Sequence, residues 1–355
     1  MGLLKGTFSF MRFQIEDSLP NNFLAFADKQ IKANAYRQET KSAREKNMGW
    51  VSLADVLDAE FARANYILGD YFIFGLRIDR KFIAPKLLKL KLMEEARNYL
   101  AQSGKERIGK QTAADIKEKV EMEIMARQDA IPSFYEVLWP LGKKTVYFSS
   151  LADKTADDFT ELFKKTFSLS LKRFLPQEQA NKPKDADDKV SLIGREFLTW
   201  LWYKSEQRNG RIALSESREA ELHLVKKIAL EAGEGEYAQG VICSGLHAEM
   251  KEAKEALRLG KKIKEAGLAL KHEKDEWEFV FKADSFDFQS LKTPPTEMME
   301  NRQDKEGALL ERIYLMEGAV KIMDDLFAAF QQGRFQPGWS EEMKKMSDWL
   351  QKQPG

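Results

Sequence analysis

Tyr71-Phe72-Ile73-Phe74-Gly75-Leu76-Arg77-Ile78 and, a few residues on, Pro85-Lys86-Leu87-Leu88-Lys89-Leu90-Lys91 decide how the rest of the chain is read. The first run is aromatic and β-branched, the composition of a strand. The second opens on a proline, a residue whose fixed φ suits the first helical turn, and continues with residues of high helix propensity. A strand feeding a charged helical section predicts an α+β protein. Residues 86–127 are expected to be mostly helical, with Pro85 at the entrance and a break near Ser103-Gly104.

Similar elements lie on either side. Phe8-Ser9-Phe10-Met11-Arg12-Phe13-Gln14-Ile15 alternates large apolar residues with smaller or polar ones, the period-2 pattern of a half-buried strand. Pro20-Asn21-Asn22 opens a predicted helix through Phe23, Phe26 and Ile31. Beyond residue 130, Ser133–Trp139 and Thr145–Phe148 flank Pro140-Leu141-Gly142-Lys143-Lys144 as a hairpin. A helix over about Ala156–Phe167 and a short run, Leu169–Phe174, follow. The stretch 176–190 (from Pro176) has two prolines and no apolar periodicity, which makes it a linker. A Trp-rich helix over Ile193–Tyr203, a helix starting near His247, strands over Lys262–Leu270 and Glu276–Phe281, and helices over about Asp304–Phe330 and Glu341–Gln351 complete the chain.

The expected architecture is therefore α+β. Residues 1–75 and 131–175 form a central β/α domain with two sheet-forming halves, and residues 76–130 form a helical basic tip inserted into it. Residues 191–295 form a β/α base domain, and 296–355 a terminal helical segment.

The 355 residues carry 57 Lys+Arg against 56 Asp+Glu, so the chain as a whole is not strongly basic. Its single cysteine, Cys243, excludes an internal disulfide framework and a thiolate-cluster zinc site, and fits a reducing compartment. No segment approaches the roughly 18 uncharged apolar residues of a membrane span, and the first residues are too short an apolar run for a secretory leader. A soluble cytoplasmic protein is expected.

Local catalytic signals are weak. His223, His247 and His272 lie 24 and 25 residues apart, and the chain has neither HExxH nor GxSxG. Gly104-Lys105-Glu106-Arg107-Ile108-Gly109-Lys110 carries the glycines and lysine of a P-loop. Gln111, however, stands where a Ser or Thr hydroxyl would hold magnesium, and the segment follows a charged helical pattern rather than a buried strand. It reads as a basic connection between two helices. No enzymatic activity, cofactor or metal is expected.

Charge distribution is more informative. Arg77 to Lys110 holds ten basic residues and four acids, an excess of six, whereas Glu297 to Asp325 holds eight acids and four basic residues. Such a basic section attracts polyanions through counterion release. From composition alone, a solvated helical arm balanced by carboxylates elsewhere is an equal alternative. A second basic feature is Lys251, Lys254 and Arg258, spaced i, i+3, i+7, which places them within about 60° of arc on a helix. Ala253, Ala256 and Leu257 lie on the opposite side, Gly260 suits the C′ position, and Lys261 follows. Glu255 sits near the ridge edge and partly neutralises it. With no helix-turn-helix, zinc-finger or RNP spacing, DNA contact would be to phosphates and independent of sequence.

Met48-Gly49-Trp50-Val51, the Trp139 strand with its hairpin, Phe197-Leu198-Thr199-Trp200-Leu201-Trp202, Gly260-Lys261-Lys262-Ile263 through Leu268-Ala269-Leu270, and Phe288-Gln289-Ser290-Leu291-Lys292 occur in one order. In that order and spacing they resemble the RdgC family of recombination-associated proteins over about residues 1–295. The resemblance implies a non-enzymatic, nucleoid-associated protein that binds duplex DNA without sequence preference. It further implies a ring-shaped homodimer around DNA that restrains the RecA recombinase. Lys261 matches a basic position of the family's hole lining, while the basic residues of 105–110 match in character only. By register on Trp139, the family's aromatic tip contact falls on Ala130, so the dimer contact implied here comprises Ala130 with Ile131 and Phe134 nearby. The expected phosphate contacts are Lys86, Lys89, Arg97, Lys105, Arg107, Lys110, Lys251, Lys254, Arg258 and Lys261. Two rival readings stand beside this one. The first is a module that binds a recombination or nuclease protein through its basic surface, and the second is a hydrolase without a local signature.

Overall fold

A computed structural model of the chain describes residues 2–20, 22–38, 45–61, 66–175, 192–215, 218–232, 239–245, 251–295 and 304–351. In chain order they begin with β1 (Phe8–Ile15), α1 (Phe23–Ala33), β2 (Lys46–Val51), β3 (Ile67–Leu68) and β4 (Tyr71–Arg80). Next come α2 (Pro85–Ser103), α3 (Lys110–Arg127), β5 (Ile131–Pro140), β6 (Thr145–Phe148), α4 (Asp153–Phe167) and β7 (Leu171–Arg173). The remainder comprises α5 (Ile193–Ser205), β8 (Arg211–Ser215), β9 (Arg218–Glu231), β10 (Val241–Gly245) and α6 (Lys251–Arg258). Last are β11 (Lys262–His272), β12 (Asp275–Lys282), β13 (Asp287–Lys292), α7 (Lys305–Arg334) and α8 (Trp339–Gln351). The fold is mixed α+β, with antiparallel strand pairing. The expected linker at 176–190 and His247 lie outside the described residues.

The chain divides into two units. The first comprises Met1–Glu16, Trp139–Asp158 and Ser170–Gly355, and the second Asp17–Leu138 and Phe159–Leu169. In the first unit the strand order is β10-β9-β11-β12-β13-β1-β6, with β7 on β1 and β8 on β9. β1 is not the half-buried strand its alternation suggests. Phe8, Phe10, Met11, Phe13 and Ile15 are all buried, because β1 pairs with β13, β6 and β7 and is covered on both faces. Even Arg12 points inward, to Asp324 on α7.

The aromatic core of this unit joins its helices to its strands. Phe197 of α5 lies 5.7 Å from Phe286 and 5.2 Å from Phe327 of α7, ring centre to ring centre. Phe288 stacks on Phe10 at 5.0 Å. Each such ring contributes about 1.5–3 kcal/mol on burial. Gly194, in the first turn of α5, stands where only glycine fits, since a Cβ would lie 1.9 Å from the carbonyl oxygen of Ala283. The Trp277 indole N–H donates to the Leu315 carbonyl at 2.9 Å, pinning α7 to β12.

In the second unit β2 and β3 pair with β4. Its core centres on Trp50, ringed by Phe74 at 5.0 Å, Phe159 at 6.3 Å and Phe167 at 6.2 Å. The Trp50 indole donates to Thr166 Oγ1 at 2.8 Å, and that hydroxyl donates to the Leu162 carbonyl at 2.7 Å, so the one polar atom of the ring is satisfied in the core. Next to it, Gly49 passes against the backbone of residues 35 and 36, where a Cβ would come within 2.4 Å of Tyr36 Cα.

Candidate nucleic-acid interface

The ten candidate phosphate contacts fall into two clusters, one in each unit, and the two differ in their electrostatic state.

The first cluster lies on the α2–α3 arm. Pro85 is the first residue of α2, and Gly104 ends the helix with φ +64°, its N–H on the Leu100 carbonyl at 3.1 Å. α3 starts at Lys110, so the P-loop-like segment connects two helices, as its sequence context suggests. Each helix is about 27–29 Å long at ~1.5 Å per residue. α2 buries no residue and α3 buries only Val120, so the arm has little core of its own. Its root is fixed by two polar bonds. Lys81 Nζ donates to the Met125 carbonyl at 2.6 Å, and Gln128 Nε2 donates to the Phe82 carbonyl at 2.9 Å.

Ion pairing sorts the arm's charges. Lys91 pairs with Glu94 at 2.7 Å, Lys119 with Glu95 at 3.6 Å and Glu123 at 3.9 Å, and Lys117 with Glu121 at 3.7 Å. Below the arm, Arg77 is committed to Asp79 at 2.7 and 2.8 Å and lies 4.1 Å over the Tyr36 ring. That carboxylate holds the guanidinium pKa above its ordinary value. Lys86, Lys89, Arg97, Lys105, Arg107 and Lys110 are all exposed, and none has a side-chain ion pair or hydrogen bond among the described residues. On α2, Lys86, Lys89 and Arg97 lie within about 80° of arc. The other three surround the Gly104–Gly109 turn.

The second cluster is the α6 ridge. Ala253, Ala256 and Leu257 are buried, which turns the i, i+3, i+7 cations outward. Gly260, at φ +86°, donates to the Leu257 carbonyl, and Lys261 N–H donates to the Ala256 carbonyl, both at 3.0 Å. These two bonds are the Schellman closure expected of a C′ glycine. The ridge cations are engaged. Lys254 Nζ donates to Glu206 at 2.7 Å, lies 4.8 Å from the Trp349 ring centre, and its side chain is only 14% exposed. Arg258 donates to Glu255 at 2.8 Å and to the Leu350 carbonyl at 2.6 Å. Lys261 Nζ reaches the Gln239 carbonyl at 2.5 Å. Lys251 is exposed on the same face.

Glu255 neutralises the ridge as its position suggests, whereas Glu206, Trp349 and Leu350 do so from 48 to 95 residues away in sequence and have no local signal.

At the start of β5, Ile131 is 63% and Phe134 42% exposed, with Ala130 partly so. The exposed ring of Phe82 lies at the same root. Trp200, Trp202, Phe72 and Phe74 are buried and serve packing. Among the described residues, no group of three His, Cys, Asp or Glu could hold a metal ion, and no helix is long and apolar enough to cross a membrane. Burial pushes the Cys243 thiol pKa up, aided by Glu252, which disfavours the thiolate.

No known protein-family model matches the chain, and no curated protein matches it either.

Proposed function

We propose that the protein binds double-stranded DNA independently of sequence, through phosphate contacts, and acts as a homodimer that modulates recombination. The observation that carries this reading is the arm. Six exposed cations stand there without carboxylate partners among the described residues, on two helices that bury almost nothing and in the turn between them. Lys91, Lys117 and Lys119 on the same helices are paired, whereas these six can meet a polyanion without first giving up a carboxylate. Unpaired cations on an exposed scaffold are suited to a polyanion, and Lys and Arg supply counterion-releasing contacts to phosphate.

The resemblance to the RdgC family extends the proposal. In that reading two copies meet through the exposed apolar residues at the start of β5, Ile131 and Phe134, and enclose a duplex. The protein resides on the cytoplasmic nucleoid and restrains RecA by occupying DNA. The test is fluorescence anisotropy with labelled duplexes of two unrelated sequences across a range of salt. Six phosphate contacts give a log–log salt slope near −5, at about 0.9 per phosphate. Equal affinity for both sequences, and weakening by Lys105→Glu with Arg107→Glu, are the expected results. A slope shallower than about −2 excludes an extended phosphate-binding surface.

A second reading rests on its own observation. Leu90 and Met93 are exposed on α2 among the cations, a mixed surface suited to a recombination or nuclease protein with an acidic face. That reading predicts partner binding that survives nuclease treatment.

A further inference from the structure

The α6 ridge is occupied by the chain's own last described helix. Arg258 donates to the carbonyl of Leu350 at 2.6 Å, and Leu350 is the penultimate residue of α8. The last carbonyls of a helix have no partner within it and carry the negative end of its dipole, so this contact gives Arg258 the kind of partner a phosphate oxygen would be. Lys254 is treated similarly. Its ammonium is shared between the Glu206 carboxylate and the face of Trp349, and the same carboxylate oxygen accepts the Trp349 indole N–H at 2.6 Å. Glu206 therefore ties α6 to α8 through one atom.

α8 itself is lightly seated. Met346 is its buried residue. Trp349 rests edge-on to Trp202 at 5.5 Å and Tyr203 at 5.7 Å, Trp339 meets Phe330 at 5.6 Å, and Lys204 pairs with Glu342. The polar contacts to α6 are solvent-exposed, where ion pairs are individually weak and salt-sensitive.

We infer that α8 is a displaceable cover over the α6 ridge: it lays the Trp349 ring on Lys254 and the Leu350 carbonyl on Arg258, so that phosphate reaches these two side chains only when α8 leaves and then competes with just the exposed ion pairs to Glu206 and Glu255. This rests on the DNA-binding reading above. It makes the ridge a conditional site, additional to the arm, and it makes duplex and α8 competitors for the same two side chains.

The test compares the full-length protein with Trp349→Ala and with the more conservative Glu206→Gln, by duplex anisotropy at several salt concentrations. Trp349→Ala should bind several-fold tighter, with a salt slope steeper by about 2 because two further cations reach phosphates. Glu206→Gln removes the charge that joins Lys254 to the Trp349 indole, which loosens α8 and releases Lys254, and should steepen the slope by about 1. Adding Lys254→Glu and Arg258→Glu to Trp349→Ala should remove the gain. Independently of any variant, hydrogen exchange on the unmodified protein should show α8 amides losing protection on duplex addition while α7 amides do not. If the unmodified protein binds duplex but neither variant steepens its slope and α8 stays protected, the cover is wrong and the DNA-binding reading survives. If no form of the protein binds duplex at low salt, that reading fails and the cover with it.

Discussion

One terminal amino group of Arg12 donates to both carboxylate oxygens of Asp324, at 2.9 and 2.8 Å, linking β1 to α7 across 312 residues. Arg12 is 3% exposed and stacks 4.0 Å over the Phe174 ring, whereas the Asp324 side chain is 42% exposed. The cation is therefore buried and its partner is not. Removing Asp324 strands a charge that has no other carboxylate partner among the described residues. Asp324→Ala should cost about 3 kcal/mol, the low end for a broken buried pair, because water reaches the carboxylate side. Arg12→Met should cost less, and the double variant less than the two single changes together. Urea unfolding of all four proteins checks this, and additive losses would show that the pair is not coupled.

The arm should tolerate neutralisation of its cations without loss of stability. Lys86→Ala and Lys89→Ala remove side chains that have no ion pair or hydrogen bond among the described residues, on a helix with no buried residue, so each should change unfolding free energy by less than about 0.5 kcal/mol. Together they should make the DNA salt slope shallower by about 2. Unfolding of the double variant at wild-type denaturant, combined with a reduced slope, separates binding from folding.

Gly194→Ala is expected to be severe. The new methyl would stand 1.9 Å from the Ala283 carbonyl, a backbone atom that cannot rotate away, so α5 must lift from the connection that follows β12. A loss above about 3 kcal/mol follows from overpacking of this kind, read as a fall in melting temperature. Gly104→Ala, with open space around its Cβ, should cost only the strain of φ +64°.

Tyr36 makes alkaline stability testable. Its hydroxyl donates to Asp79 at 2.7 Å, and burial, followed by that carboxylate, pushes the phenol from 10.0 up to about 12. Between these values the folded protein keeps a proton that the unfolded chain has released. The stabilisation is therefore complete below pH 10 and is lost as pH rises through 12, amounting to about 3 kcal/mol in all. Tyr36→Phe should flatten the stability profile in that window, and an unchanged profile would assign the alkaline loss to other groups.

Much of this was legible along the chain because the signals were local. The Pro85 start and Gly104 stop of α2, the Gly260 closure of α6 and the Pro140–Thr145 turn each depend on residues within one helical turn or one hairpin. Both strand and helix classes were evident at Tyr71–Ile78 and Ile193–Tyr203, where period and composition agree. β1 was read less well. Alternation foretold one buried face, but pairing on both sides and coverage by α7 buried nearly every side chain, including a charged one.

The candidate site divides in the same way. Which cations share a helix face follows from 100° per residue, so the sequence by itself determined the basic arm, the α6 ridge and the mixed α+β class. Whether a cation is unpaired is a different kind of fact. It depends on carboxylates, carbonyls and rings within about 4 Å in space, and those come from anywhere in the chain. Lys86 and Lys254 look alike in sequence, yet one is exposed without a partner among the described residues and the other is clasped by Glu206 and Trp349. Only the tertiary structure decided that, because a salt bridge has no sequence period.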